Sequence, residues 1–283
     1  MQRNKSMNII LLTALVMIAF AANSILCREA LATKEINVAE FTAMRLVSGS
    51  IVLFFIVYFK NKKVIIGGGW ISAFALFGYA TCFSFAYLRL SAGTGALLLF
   101  GSVQLTMFTW GLLKGERISK IKWLGILIAL GGMIWFVMPG IESPPLLWAV
   151  IMMGSGLCWG VYSLCGRGVK NPIVSTAGNF IRTIPMIAIV YILTKESNSE
   201  STVKGWALAI VSGAIASGLG YALWYSVLPK LTALTSATIQ LSVPIIASIG
   251  GVLFLSEAYT ARLMVASILV LGGIYLFIHH GKK

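Results

Sequence analysis

Aspartate is absent from this sequence, and glutamate supplies all 8 acidic side chains among 283 residues. Charged residues make up 11% of the chain, against about a quarter in soluble domains. So few charges cannot cover a soluble surface of this size, which leaves lipid to cover much of it. Histidine occurs only at His279 and His280, on the C-terminal tail, so no histidine lies deep in a hydrophobic run for a metal cluster or an acid–base pair. The four cysteines, Cys27, Cys82, Cys158 and Cys165, form no CxxC or Cys/His spacing, and packing as small apolar groups accounts for them. Gly67-Gly68-Gly69 lacks the Gly-Lys-Ser/Thr that would make it a phosphate loop. No cofactor, no metal and no ATP hydrolysis are expected.

What is present is hydrophobic: 58% of residues, with a mean hydropathy of +0.91. A membrane span needs about 20 apolar residues. Such stretches fall near 8–27, 39–59, 69–88, 93–113, 120–138, 146–166, 173–194, 205–227, 233–255 and 260–279. The expected fold class is an all-α integral membrane protein of ten transmembrane helices joined by short loops. The first stretch follows Arg3 and Lys5 as a signal peptide would, but it ends Asn23-Ser24-Ile25-Leu26-Cys27-Arg28 without a small-x-small cleavage site, and is read as a retained helix.

The net charge of +14 would suit nucleic acid, but its placement follows the membrane. With the N-terminus cytoplasmic, fourteen Lys and Arg fall on inner segments and six on outer loops, leaving Arg45 and Arg182 inside spans. That asymmetry puts both termini in the cytoplasm. Trp70, Trp123, Trp148 and Trp206 stand near span starts, as interfacial aromatics do.

The second half echoes the first. Leu90-Ser91-Ala92-Gly93-Thr94-Gly95-Ala96 compares with Leu231-Thr232-Ala233-Leu234-Thr235-Ser236-Ala237, Glu116 with Glu257, and Gly131-Gly132 with Gly272-Gly273. Arg45 pairs with Arg182, Leu26-Cys27 with Leu164-Cys165, and Gly78-Tyr79-Ala80 with Gly220-Tyr221-Ala222. The chain thus divides into two units, 1–140 and 141–283. Five spans each is an odd number, so the second copy enters the membrane the other way up, and inverted repeats place a site at their interface near the bilayer midplane.

Leu113-Lys114-Gly115-Glu116-Arg117-Ile118, then Trp123-Leu124-Gly125 and Gly131-Gly132, resemble the Leu-Gly-Glu-Arg turn and Gly-rich fifth helix of the EamA type of the drug/metabolite transporter superfamily. Gln240-Leu241-Ser242-Val243-Pro244, Leu253-Phe254-Leu255-Ser256-Glu257 and then Gly272-Gly273 resemble the second half of that family, whose ninth helix carries a Pro and a terminal Glu, and Arg45 stands where many members carry Arg. Val103 departs from the Pro often found in the first repeat. The resemblance implies a ten-helix secondary transporter of the bacterial cytoplasmic (inner) membrane that moves amino acids or other small metabolites, and it leaves the oligomeric state open, a monomer included.

Polar groups deep in a bilayer need a reason. Span midpoints nominate Arg182 with Asn179 one turn earlier, Gln104, Gln240 one turn before Pro244, Tyr79, and Trp159 with Tyr162. Asn23 and Ser24 lie toward the outer end of the first span, and Tyr221 and Trp224 toward the inner end of the eighth. Arg182 has no acid at its depth, so it meets a substrate carboxylate or caps helix carbonyls and snorkels. Arg45, nearer its helix end, reads as structural. The aromatics form a cavity wall or fill helix packing. Gly156-xxx-Gly160 and Ser212-xxx-Ala216-xxx-Gly220 are small-residue ridges, Pro185 and Pro244 are candidate kinks, and Glu116 and Glu257 terminate helices.

The favoured reading is an exporter of amino acids or similar zwitterions working by alternating access. Its solute meets Arg182, Asn179, Gln104, Gln240, Tyr79, Trp159, Tyr162, Tyr221, Trp224, Asn23 and Ser24. Import of a choline-like cation is the alternative, favoured by aromatic walls and opposed by Arg182. A membrane-embedded lipid enzyme would need nucleophiles, metal ligands or acid–base pairs, whereas here the acids are peripheral and the histidines sit on a tail, and a scaffold subunit would leave the central polar residues unexplained.

Overall fold

A computed structural model describes residues 2–63, 65–115, 119–166, 169–194, 201–227, 231 and 239–279. The helices are α1 (Gln2–Ala32), α2 (Val38–Asn61), α3 (Trp70–Tyr87), α4 (Ala92–Leu113), α5 (Lys120–Val137), α6 (Leu146–Cys165), α7 (Pro172–Thr194), α8 (Val203–Val227), α9 (Ser242–Leu255) and α10 (Ala261–His279). Nine of these are long and apolar enough to cross a bilayer, and α9 is a shorter apolar helix of 14 residues whose expected beginning at 233–238 lies outside the described residues. The protein is an all-helical integral membrane protein. Ile10, Leu11, Leu15 and Ile18 of α1, like Leu124, Leu127 and Ile134 of α5, face outward, where only lipid tails can cover them.

Helix starts follow local chemistry. The side chains of Asn37, Ser91, Ser119 and Thr202 accept hydrogen bonds from the backbone N–H groups of Ala39, Thr94, Lys122 and Gly205, satisfying donors that a first turn leaves free. The first helix runs on to Ala32 rather than stopping near residue 27, because Arg28 finds partners across the fold. Asn23 and Ser24 are therefore near the middle of the apolar stretch Ile9–Ala32 rather than at its end.

The helices contact one another in a patterned way. α3 packs on α6 and α8 on α1; α4 packs on α6 and α9 on α1; α3 packs on α7 and α8 on α2. The remaining large contacts join α2 to α7, α4 to α9 and α5 to α10. Adding five to each number from one to five and subtracting five from each number from six to ten converts one member of each of the first three pairs into the other.

Small residues let these helices touch backbone to backbone. A Cβ on Gly125 would stand 2.6 Å from the carbonyl of Gly273, and one on Gly273 would stand 2.6 Å from that of Gly125. Gly156 and Gly160 fit likewise against Leu99, Ser102 and Thr106 of α4. Gly273→Leu is therefore expected to destabilise the protein by about 3 kcal/mol, visible as a lowered melting temperature in detergent, whereas Gly272→Leu, where a Cβ meets nothing within 4 Å, should change it by less than about 0.5 kcal/mol.

The eighth span is not one regular helix. Its centre, Ser212–Leu219, is π-helical between α-helical ends. The segment reads Ser-Gly-Ala-Ile-Ala-Ser-Gly-Leu, and Gly213 lies so close to α2 that a Cβ there would meet Arg45 O at 2.2 Å. π-segments often mark functional positions. Here the widened turn brings Ser212 and Ser217, five residues apart, to α1 and α2.

Candidate functional site

Arg45 is the centre of the polar interior. It lies seven residues into α2 past Val38, roughly 10 Å along the helix axis, and is 2% exposed. Thr42, Ser48 and Gly49, at helical spacing from it, make one buried polar and small-residue face. Its Nη2 donates to the Tyr79 hydroxyl at 2.9 Å and its Nε to Ser217 Oγ at 3.4 Å. The guanidinium carbon stands 4.6 Å from the Phe83 ring centre and 5.2 Å from that of Tyr79. Nη1 is shielded and has no hydrogen-bond partner among the described residues. Asn23 extends the network: its Nδ2 donates to the Tyr79 hydroxyl at 3.4 Å, and Ser212 donates to its Oδ1 at 2.6 Å. Ser155 of α6 fixes α3 by donating to the Tyr79 carbonyl.

Beside this network is a cavity of about 20 Å³, lined by Phe20, Asn23, Ser24, Tyr79, Phe83, Leu99, Phe100, Trp159, Ala216 and Tyr221. That is room for about one water molecule. Trp159 packs at a tilt against Tyr79 (4.7 Å between ring centres), Tyr221 (5.0 Å) and Tyr162 (5.3 Å). Past Tyr162 opens a larger vestibule of about 240 Å³, lined by Gly68, Gly69, Ser72, Cys165, Thr176, Asn179 and Tyr225 among others. These are the beginnings of α3 and α7 and the ends of α6 and α8, so the vestibule opens at the face where α1 begins.

On the opposite face, ion pairs tie the helix ends together. Arg28 Nε meets Glu257 Oε1 at 3.0 Å, while its Nη1 donates to the carbonyls of Tyr87 and Leu88 at the end of α3. Glu257 Oε2 accepts the Ala92 N–H at 2.8 Å, at the start of α4. One carboxylate thus ties α9 to α1 and α4. Nearby, Lys204 bridges Glu29 (2.6 Å) and Glu35 (3.4 Å), and Ser201 hydrogen-bonds Glu40. The Thr202 hydroxyl, with Lys204 behind it, holds the Glu35 carboxyl below the usual carboxylate range. A depressed pKa stabilises the fold above the ordinary value and loses that contribution as pH falls through the folded one. The protection of the amides of residues 33–37, as exchange measured against the intrinsic rate at each pH, is expected to fall once the pH drops beneath the ordinary glutamate value.

The residues expected from sequence divide among these places. Asn23, Ser24, Tyr79, Trp159 and Tyr221 line the central cavity. Tyr162 and Asn179 line the vestibule, and Tyr162 donates to Thr176. Trp224 packs edge-on against Phe20. Arg182 stands apart: its Nη1 donates to the carbonyls of Gly67 and, at 2.9 Å, Gly178, while Asn179 accepts the Gly69 N–H. Both fasten the segment before α3 onto α7. Gln104 is buried in α4 and Gln240 is half-buried before α9, each outside the lining of the two cavities. Arg45, Phe20, Phe83, Ser212 and Ser217 were not among the expected residues. Glu116 and His280 lie outside the described residues.

A bundle of membrane-crossing helices around a buried polar network, with a vestibule on one face and ion pairs across the other, has the build of a solute carrier. The profile of the EamA-like transporter family matches residues 7–138 and again 146–279, and the chain belongs to that family. An uncharacterized protein of Pseudomonas aeruginosa is 48% identical over 95% of this chain and 94% of its own. An uncharacterized transporter of Archaeoglobus fulgidus is 23% identical over 94% of this chain and 96% of its own. The threonine/homoserine exporter RhtA of Escherichia coli is 28% identical over 53% of this chain and 51% of its own length. A crystal structure covering 93% of this chain and 97% of its own superposes with a TM-score of 0.64 at 19% identity, a likeness of fold.

Proposed function

We propose that this transporter exports an amino acid or a similar zwitterionic metabolite by alternating access between two inverted five-helix halves, 1–140 and 141–283. The observation that carries the proposal is the polar network around Arg45, to which α1, α2 and α3 contribute from one half and α8 from the other, between an open vestibule and a closed face. The twofold match of the family profile and the paired helix contacts support the division into halves. RhtA is named for the export of threonine and homoserine, and likeness over half its length supports small amino acids as the first solutes to try.

Lys60, Lys62, Lys63, Lys114, Lys120 and Lys122 all stand at the vestibule's face, which supports placing that face and both termini in the cytoplasm of a bacterial inner membrane. The state described is then open inward and latched outward. Solute entering the vestibule moves past Tyr162 and Trp159 to the centre, and parting of Arg28 from Glu257 releases it outward. A single chain holds every part of this route. A choline-like cation is disfavoured, because the rings that would hold it already face the charge of Arg45.

Proteoliposomes loaded with L-threonine or L-homoserine, without ATP, are expected to take up the same labelled amino acid by counterflow, and Trp159→Ala is expected to slow this about tenfold while the protein stays monodisperse. No counterflow with these or any neutral amino acid would refute the proposal.

A further inference from the structure

Arg45 presents a charge problem that the protein alone leaves open. Its guanidinium stays protonated at any physiological pH. All three ion pairs among the described residues use other cations, Arg28 and Lys204. What surrounds Arg45 is neutral: a tyrosine hydroxyl, a serine hydroxyl and two aromatic faces, with one nitrogen unpartnered. An unpaired buried charge is strongly unfavourable unless something of opposite sign reaches it. The two rings against the guanidinium, Tyr79 and Phe83, are themselves walls of the central cavity, whose other walls are mainly apolar. Only a shift of those two side chains separates the charge from the place where a solute would sit.

Resting on the transport reading above, we propose that Arg45 is the residue that selects the solute by its carboxylate. As the cavity widens to admit solute, Nη1 and Nη2 turn to the carboxylate as a fork, and the Tyr79 hydroxyl and the Asn23 amide are left to contact the rest of its polar end. Phe20, Phe100, Trp159 and Tyr221 then take the solute's carbon skeleton. One fixed positive charge matches one carboxylate. A phosphate would bring a second negative charge with no cation to meet it. The ligand class is therefore a small monocarboxylate-bearing metabolite, with its amino group turned away from Arg45.

The test compares acids with amides of the same skeleton. Inhibition of counterflow would be measured with L-threonine, L-homoserine, L-leucine and L-phenylalanine, each against its amide, for the intact wild type, Arg45→Gln and Arg45→Lys. The wild type is expected to prefer acid over amide by about tenfold or more. Arg45→Gln should bring that ratio near one, and Arg45→Lys, which keeps the charge but loses the fork, should lower it at least about threefold. An unchanged ratio in a folded variant overturns the assignment while leaving the transport reading intact. Should the glutamine variant fail to fold, the ratio in the lysine variant decides. No counterflow in the wild type with these four acids or any other neutral amino acid overturns both.

Discussion

Glu257→Ala is expected to open the closed face. The carboxylate accepts from Arg28 at 3.0 Å and from the Ala92 N–H at 2.8 Å, and both side chains of the ion pair are mostly shielded, at 21% and 13% exposure. Removing it leaves Arg28 with only the carbonyls of Tyr87 and Leu88, and leaves the first turn of α4 with a free donor. The combined loss is about 2–3 kcal/mol, charged to the outward-closed state alone. A bias of that size shifts a two-state equilibrium by about thirtyfold or more, as every ~1.4 kcal/mol is tenfold. Cys27, buried beside this latch, reports the shift. In a variant whose only cysteine is Cys27, an impermeant maleimide applied at the latched face should react about tenfold faster or more after Glu257→Ala. An unchanged labelling rate would mean that this pair holds no gate. Arg28→Ala should give a smaller effect, and the double variant should fall well short of the sum of the two.

Tyr79→Phe is expected to be the most damaging single-atom change in the interior. That hydroxyl accepts from Arg45 Nη2 and from Asn23 Nδ2 at once, so its loss strands a second guanidinium nitrogen and an amide in a place shielded from water. The cost is about 2–3 kcal/mol, because a hydrogen bond to a charged group is broken and the partner stays buried. The ring itself and its tilted contact with Trp159 at 4.7 Å are retained, so lost packing contributes little. Tyr162→Phe makes the matched control. Its hydroxyl donates to the neutral Thr176 hydroxyl at 3.2 Å, and its removal should cost about 1 kcal/mol or less. Thermal unfolding of the two variants in detergent separates them, and equal losses would show that the Arg45–Tyr79 contact carries no special weight.

How far the sequence reaches differs between fold and site. Each of the ten apolar stretches set by length and hydropathy holds one of the helices among the described residues, nine of them of spanning length, since a bilayer imposes a nearly fixed span. Boundaries slipped where a charged residue found a distant partner: Arg28 looks like a stop signal, yet helix α1 continues four residues beyond it. The aromatic and amide candidates Asn23, Ser24, Tyr79, Trp159 and Tyr221 do come together, because intramembrane polar groups converge on the bundle interior. The two arginines could not be told apart by depth. Arg182 is nearer the middle of its span, but Gly178 lets the segment before α3 lie directly on α7, and the carbonyl of Gly67 then meets the guanidinium. Arg45 is nearer an end, but its face of α2 carries Thr42, Ser48 and Gly49, a polar stripe that was readable and points inward. Ser217 was out of reach altogether. A regular 3.6-residue period links Ser212 with Ala216 and Gly220, and only the π-helical turn brings Ser212 and Ser217 to the same network.

The central claim is a route that opens on one face at a time, and Cys165 tests it most directly. That thiol is exposed and lines the vestibule at the face with the basic loops. With Cys27, Cys82 and Cys158 replaced by alanine, an impermeant maleimide should label Cys165 from the cytoplasmic side of oriented vesicles, and saturating transported amino acid should slow that labelling as the vestibule closes. Labelling only from the other side, or a rate indifferent to every solute that counterflows, would contradict the account.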